Sequence, residues 1–419
     1  MRSGTAASHA LPGGSGLWSL AFRNVLRHRG RTTMVFLAIA FGVAALMVTG
    51  GFVADMYAKL AEALIRSQSG HLQIARPSYF AEGSRSPEKN LLEKPSALAA
   101  AVNRAVPGAV SMTRLKFSGL VNNGRTDFPI VGDGVEPDKE TAGASQVRIL
   151  AGRALTDADE FAMVIGTGLA EALGLKPGDR VNLVAPSIDG AMNTLDFEVV
   201  GIAQSFSKDY DARSVRIPLA AAQELLNTAG GNVVVVSLPD TRDTARAAAA
   251  IGAELRAQGL EVKTWEELNE FYRSTVELYE RQFLVLWLIV LVMVMLAVAN
   301  AVNMTVFERA GEFGTIRALG RRGRDVFGLV MAESLILGAA GALAGVAIGT
   351  IVAVATSGFG IPMPPPPHSE VGYTAAVQIV PSSVLSAFAL GIVATVLAGI
   401  PPALRVARMP VVEALRHAS

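Results

Sequence analysis

A chain of 419 residues has room for two or more domains, and one that is 51% hydrophobic and only 17% charged, with a mean hydropathy of +0.39, is not an ordinary soluble protein. The net charge of +1 gives no general attraction to nucleic acid, and the absence of cysteine excludes disulfides, thiolate nucleophiles and thiolate metal sites. Because the apolar residues come in blocks, the chain reads as a membrane protein with a sizeable water-soluble part.

Residues 1–31 open with a Gly/Ser/Ala-rich stretch of disordered character. They continue as Leu17–Arg31 (LWSLAFRNVLRHRGR), whose mixture of apolar residues and arginines predicts an amphipathic helix at the membrane surface. Thr32–Ala54 is uncharged for 23 residues, enough to span a bilayer. A secretory signal peptide is the alternative, but the run is long for one and no Ala-x-Ala site follows. A stripe through Val53, Met56 and Leu60 extends the helix to about residue 66. Such a helix would be roughly 50 Å long against a hydrocarbon core of about 30 Å, which makes its far end a stalk.

Residues 67–268 have α+β patterning. Gly70–Ala75, Ser111–Val121 and Thr126–Val131 read as strands, with a helix at Pro95–Val106. A second block over about 147–217 holds the strand Ala162–Ile165, the helix Gly168–Leu173, the turn Leu175–Asp179 (LKPGD) and the strands Arg180–Val184 and Leu195–Ile202. After Pro218 the first pattern returns: helix Leu219–Leu226, strand Asn232–Leu238, helix Thr241–Gln258 and strand Leu260–Thr264. The expectation is two subdomains, the second inserted in the first.

Tyr272, Val276 and Tyr279 lie on a helical stripe that forms a second stalk, expected to meet Val53, Met56 and Leu60 within a protomer or across a dimer. Stalk and second span together occupy 269–307. A charged segment over 308–324 follows, then a third span at 326–356, a loop with a proline run at 357–381, a fourth span at 382–404 and a basic tail at 405–419. Five arginines lie between Phe307 and Arg324, and residues 357–380 contain no lysine or arginine. By the positive-inside rule both termini and the 308–324 segment are cytoplasmic, and the α+β domain is on the other side.

Gly341, Gly345 and Gly349 in span three, and Gly391 and Gly399 in span four, recur at every fourth or eighth residue, a spacing that lets helices pack closely in lipid. Glu333 inside span three is either a functional carboxylate or a structural one paired with an arginine such as Arg324. The sequence contains no G-x-x-x-x-G-K-[ST], no H-E-x-x-H and no G-x-S-x-G, and its five histidines are scattered. No catalytic residue, metal ligand or bound cofactor is expected.

The 308–324 segment remains to be explained. On a helical wheel Phe313, Ile316 and Leu319 share a face flanked by Arg309, Glu312 and Arg317, while Ala310, Gly311, Gly314 and Ala318 form a small-residue face. Two internal glycines cost about 1 kcal/mol each, so the helix needs outside support. The expectation is that Phe313, Ile316 and Leu319 seat in a partner. A plain loop whose arginines only orient the protein is the alternative.

The stretch ERAGEFGTIRALG with RDVFGLVMAESLILGAAGALAGVAIG resembles the FtsX-like permease domain shared by MacB-type and lipoprotein-releasing ABC transporters. LAFRNVLRHRGRTTMVFLAIAFGVAAL, IGTGLAEALGLKPGDRV and PPALRVARMPVVEAL are similar to other parts of that family. The resemblance implies an α+β membrane protein with four transmembrane helices and a two-subdomain extracytoplasmic domain after the first, in a bacterial inner membrane. It implies that Glu308, Arg309, Glu312, Phe313, Ile316, Arg317, Leu319 and Gly320 belong to a coupling helix docked on a cytoplasmic ATPase dimer, which binds ATP and Mg. The further partners implied are a second copy or related permease, and a periplasmic carrier or adaptor. With 31 residues before span one, no fused ATPase is expected, and the layout is similar to lipoprotein-releasing permeases. Lipoprotein or lipid extraction is expected; macrolide-type efflux, and signalling to a cell-wall hydrolase, are the alternatives.

Overall fold

The computed structural model describes residues 15–27, 29–82, 90–143, 147–364 and 372–410. The start expected to be disordered, most of the proline run and the tail beyond residue 410 lie outside them. The chain begins with α1 (Ser15–Arg27), α2 (Arg29–Leu64) and a π-turn (Ile65–Ser69). Then come β1 (Leu72–Ala75), α3 (Pro77–Glu82), α4 (Pro95–Ala105), β2 (Val110–Asn122), β3 (Asp127–Val135), α5 (Pro137–Ala142) and β4 (Arg148–Gly152). Next are β5 (Ala162–Gly166), α6 (Thr167–Leu173), β6 (Arg180–Pro186), β7 (Met192–Gln204), α7 (Lys208–Asp211), β8 (Ser214–Pro218) and α8 (Leu219–Leu226). They are followed by β9 (Val233–Ser237), α9 (Thr244–Ala257), β10 (Glu261–Thr264), α10 (Trp265–Leu268), α11 (Glu270–Glu308) and α12 (Ala310–Ala318). The last elements are α13 (Gly323–Phe359), β11 (Ile361–Met363), β12 (Tyr373–Ala375) and α14 (Pro381–Arg408).

Two compact units result, one made of Met1–Tyr57, Glu277–Pro362 and Thr374–Ser419, the other of Ala58–Val276 with Met363–Tyr373. In the first, parts of four helices long and apolar enough to cross a membrane come together: Thr32–Ser69, Tyr272–Glu308, Gly323–Phe359 and Pro381–Arg408. They outrun the uncharged stretches because helical hydrogen bonding does not stop where hydropathy does. Where charge returns it is carried by pairs one turn apart, such as Arg281 on Glu277 at 3.2 Å.

Close approach is what holds these helices, since lipid offers no hydrophobic drive between them. A Cβ added at Gly345 would lie 2.6 Å from the Ala40 carbonyl oxygen of α2, and one at Gly341 would lie 2.9 Å from the Ile39 Cβ. Gly349 faces Met47, Gly391 faces Val43, and Gly399 sits against Ser334 of α13. Ile39, Leu46, Val298 and Ala387 fill the core so formed. α11 packs one face on this core through Val294, Val298, Val302 and Val306, Val294 meeting α2 at Gly42, and leaves Leu284, Leu288, Val292 and Leu296 exposed.

The second unit is built on a ten-stranded sheet in the order β10-β1-β9-β2-β3-β8-β5-β7-β4, with β6 pairing both β2 and β7. Two large hydrophobic clusters, and a smaller one around Tyr79, Met112 and Val235, lie along it. Leu72, Ile74, Val234 and Val236 pack with Ala99 and Val102 of α4 and Ile251 and Leu255 of α9. Leu115, Phe117, Ile165, Leu183, Phe197 and Val215 pack with Leu169 of α6 and Leu225 of α8. The block expected at 147–217 is joined to the first block through the shared sheet. Its strands do not form a sheet of their own but continue the common one, through β8 alongside β3 from Val131↔Ser214 to Val135↔Pro218 and through β6 against Leu120–Asn122. The reason is length: β2 has 13 residues, enough to pair with β9 near one end and β6 near the other. The LKPGD turn closes with Asp179 N donating to Lys176 O at 3.1 Å, and Gly178 at φ 97 takes the torsion a side chain resists.

His71, just after the π-turn, is buried with both ring nitrogens engaged. Leu238 N donates to its Nδ1 at 3.0 Å and its Nε2 lies 3.1 Å from Thr241 Oγ1. Burial, helped by the Arg66 charge and opposed by Asp240, lowers its pKa to about 4. The neutral ring is the native form, so its contribution is complete above the unfolded value near 6.5 and is lost as pH falls through about 4.

Two outcomes follow from this packing. Gly345→Ala is expected to cost about 1–3 kcal/mol by overpacking against the Ala40 backbone. Gly358→Ala, with no atom nearby, should leave melting in detergent unchanged; equal melting of the two variants would refute the close-packing assignment. On lowering pH from 6.5 to 4, the wild-type chain should lose up to about 3 kcal/mol more stability than His71→Gln, measured as denaturation midpoints; parallel pH curves would show that His71 is not the group responsible.

Candidate functional site

The second membrane helix does not run straight into the segment between spans two and three. Arg309, at φ −98 and ψ 12, breaks it, and the nine-residue α12 starts at Ala310. The break turns Arg309 inward. Its Nη1 donates to both oxygens of Glu333 in α13, at 3.0 and 2.9 Å, and its Nε donates to Glu312 at 3.0 Å. The guanidinium carbon lies 5.0 Å from the Phe313 ring centroid, a cation–π arrangement. Asn24 of α1 completes the set, its Nδ2 donating to Glu333 Oε1 at 2.7 Å. A cavity of about 50 Å³, lined in part by Asn24, Thr32, Arg309, Phe313 and Glu333, adjoins this cluster.

The side chains of Arg309 and Glu333 are 5% and 13% exposed. A charge pair taken out of water at this level of burial persists only with good geometry and further hydrogen bonds, and here both conditions hold. One carboxylate thus joins α1, α12 and α13. At its other end α12 closes through Gly320 at φ 93, and Arg317 Nη1 donates to the Met409 carbonyl just past α14.

Three expectations are corrected here. Glu333 is paired with Arg309, while Arg324 is exposed. Phe313 does not face outward: it is 2% exposed and belongs to the membrane core, with Ile316 half-buried against it. Arg309, expected to set register against a partner, is buried inside the chain. The kink at Arg309 rotates the face that a continuous wheel from 308 to 320 would present. The outward side of α12 is instead Glu312, Thr315, Ala318 and Leu319, with Leu319 82% exposed and Glu308 and Gly320 exposed at the ends.

The stalk residues are less closely grouped. Tyr272 stacks edge-on with Trp265 at 4.7 Å and packs on Ala61 and Ile65 in place of the expected Leu60. Val53 is buried; Met56, Leu60 and Val276 are half-buried; Tyr279 stacks on Phe283 of its own helix at 6.4 Å. Sequence reasoning missed Asn24, whose place on an amphipathic helix gave no sign of a partner 309 residues away. Among the described residues no group of three or more His, Cys, Asp or Glu is arranged to hold a metal.

The Asn24 contact makes a prediction. Asn24→Ala removes a hydrogen bond to a charged group, worth about 1.5–3 kcal/mol, and should raise amide exchange across α1 while leaving α12 protected; unchanged exchange in α1 would mean that Glu333 does not hold it.

Residues 32–254 match the MacB-like periplasmic core domain, and residues 284–411 match the FtsX-like permease C-terminal domain. An ABC transporter permease of Methanocaldococcus jannaschii is 24% identical over 349 residues, covering 80% of this chain and 83% of its own length. The lipoprotein-releasing system transmembrane protein LolC of Neisseria meningitidis is 25% identical over 202 residues, 46% of this chain and 48% of LolC. The macrolide export ATP-binding/permease protein MacB of Rhodospirillum rubrum is 25% identical over 408 residues, 94% of this chain but 59% of MacB. The chain thus matches less than two thirds of the length of the last two. One domain occupies the region from the first span into the sheet and the other takes in the last three spans and α12, so the chain belongs to the ABC transporter permeases that join a MacB-like periplasmic core domain to an FtsX-like permease C-terminal domain.

Proposed function

We propose that this permease is a non-catalytic subunit that couples ATP hydrolysis by a separate cytoplasmic ATPase dimer to movement of its periplasmic domain, and that its work is extraction of lipoprotein or lipid from the inner membrane. The observation that carries this reading is the construction of α12: anchored from inside by Arg309 and Phe313, and presenting Glu312, Thr315, Ala318 and Leu319 outward. A push on that outward edge would be delivered through Glu333 to α13 and through Asn24 to α1. The arginine distribution supports α12 and both termini on the cytoplasmic side. ATP and Mg would be bound by the partner, since the 419 residues contain no phosphate-binding loop. Two permease chains, identical or related, would work with the ATPase dimer. The similarity to LolC supports lipoprotein as cargo. Export with an adaptor is the second reading, favoured by the extent of the match to the macrolide exporter, 94% of this chain.

The docking edge is tested by substitution. Burying Leu319 in a partner would contribute about 1.5–3 kcal/mol, so Leu319→Asp should weaken copurification of the partner ATPase by at least about tenfold while melting of the permease is unchanged. Phe313→Asp should instead destabilise the permease itself. If Leu319→Asp and Thr315→Asp both retain the ATPase, the edge is not the docking surface.

A further inference from the structure

The first membrane helix ends inside the α+β unit, and the manner of its ending is unusual. The last carbonyls of any helix lack partners within it. Here the helix widens into the π-turn Ile65–Ser69, and three successive carbonyls are taken up by side chains from three strands. Ser67 O accepts from Arg216 Nη2 of β8 at 2.8 Å, Gln68 O from Arg114 Nη1 of β2 at 2.7 Å, and Ser69 O from Gln73 Nε2 of β1 at 2.9 Å. In the sheet order β8 is separated from β2 by β3, and β2 from β1 by β9, so the three donors reach across five strands. The buried side-chain atoms Ser67 Oγ and Gln68 Nε2 have no hydrogen-bond partner among the described residues. The sheet therefore holds this turn by its backbone carbonyls.

The donors are themselves fixed from behind. Arg114 forms a two-pronged pair with Glu140 of α5 at 2.6 and 2.8 Å, with side chains 5% and 8% exposed. Arg216 stands opposite Asp133 in the β3–β8 ladder, and Lys116 stands opposite Asp133 in the β2–β3 ladder. Burial alone would raise the Asp133 pKa, but Lys116, Arg114 and Arg216 outweigh it and hold the carboxyl below the usual range. Tyr210 of α7 donates its hydroxyl to the same carboxylate. Cations so placed also suit the negative end of a helix dipole.

Directly after the turn comes Gly70 at φ 63, a backbone position where a swivel would be expected. We propose that Arg216, Arg114 and Gln73 are positioning residues that form a socket for the end of the first membrane helix, so that the sheet follows the helix instead of turning freely at Gly70. The inference rests on the reading that the domain is moved from the membrane side, but its test needs no ATPase.

The native chain has no cysteine, so nitroxide labels can be placed at Ala58→Cys on the helix and Met192→Cys on the exposed start of β7 in the full chain in nanodiscs. Pulsed electron paramagnetic resonance should give a narrow distance distribution for the otherwise native chain. Arg216→Gln should widen it by about twofold or more, Gln73→Ala should widen it less, and Arg216→Lys, which keeps a donor, should restore part of the order. If Arg216→Gln fails to fold, Gln73→Ala decides alone. A melting temperature that falls while the distribution keeps its width would overturn the proposal, because the arginine would then be a stabilising cap and no more. Loss of ATPase copurification by α12 variants leaves this measurement untouched, so the two readings fail separately.

Discussion

A carboxylate inside a membrane helix has to be satisfied, and the way Glu333 is satisfied sets much of the membrane unit. An unpaired charge at that depth costs several kcal/mol, so Arg309 cannot leave without replacement. To reach Glu333 the chain must break at Arg309, and that break makes α12 a separate helix. Once Arg309 is inside, Phe313, one turn on, is drawn inside with it and stacks beneath the guanidinium. Asn24 takes a remaining acceptor position on the carboxylate and ties α1 to the same point. Three helices are thus tied together at one residue.

The same logic recurs in the α+β unit. There the polar groups in need of partners are backbone carbonyls at a helix end, and the partners are Arg216, Arg114 and Gln73 from the sheet, Arg114 paired with buried Glu140 and Arg216 opposite buried Asp133. In both places a polar requirement, and not hydrophobic area, decides where an element begins or ends. Apolar packing then fills the remainder, by glycine-mediated approach among the membrane helices and by α4, α6, α8 and α9 on the sheet.

Local features were legible in the sequence. The uncharged runs mark the four spans, the LKPGD turn has its glycine at positive φ, and α8 occupies Leu219–Leu226 as patterned. Features that depend on distant partners were not. β4 and β8 were missed because each takes its place by pairing with distant strands, β7 and β3. The single sheet was not visible because the sequence records the return after Pro218 but not that β2 is shared by both ends. At the site, the hydrophobic wheel set Phe313, Ile316 and Leu319 on one outward face, and the structure buries Phe313 instead. A helical wheel assumes an unbroken helix, and the pair that breaks it links residues 24 positions apart. Arg309 and Glu333 were each noticed, yet nothing in either neighbourhood named the other as its partner.

The central claim is that Arg309 and Glu333 act as one unit, and a double-mutant cycle measures it most directly. Full-length Arg309→Met, Glu333→Leu and the double variant would be compared with the wild type by equilibrium unfolding in mixed micelles. Each single change leaves a buried charge without its partner and should cost on the order of 3–5 kcal/mol, whereas the double variant should recover most of that loss. Single losses that simply add in the double variant would mean that the two residues stabilise the protein independently, and the anchoring of α12 through the membrane unit would have to be abandoned.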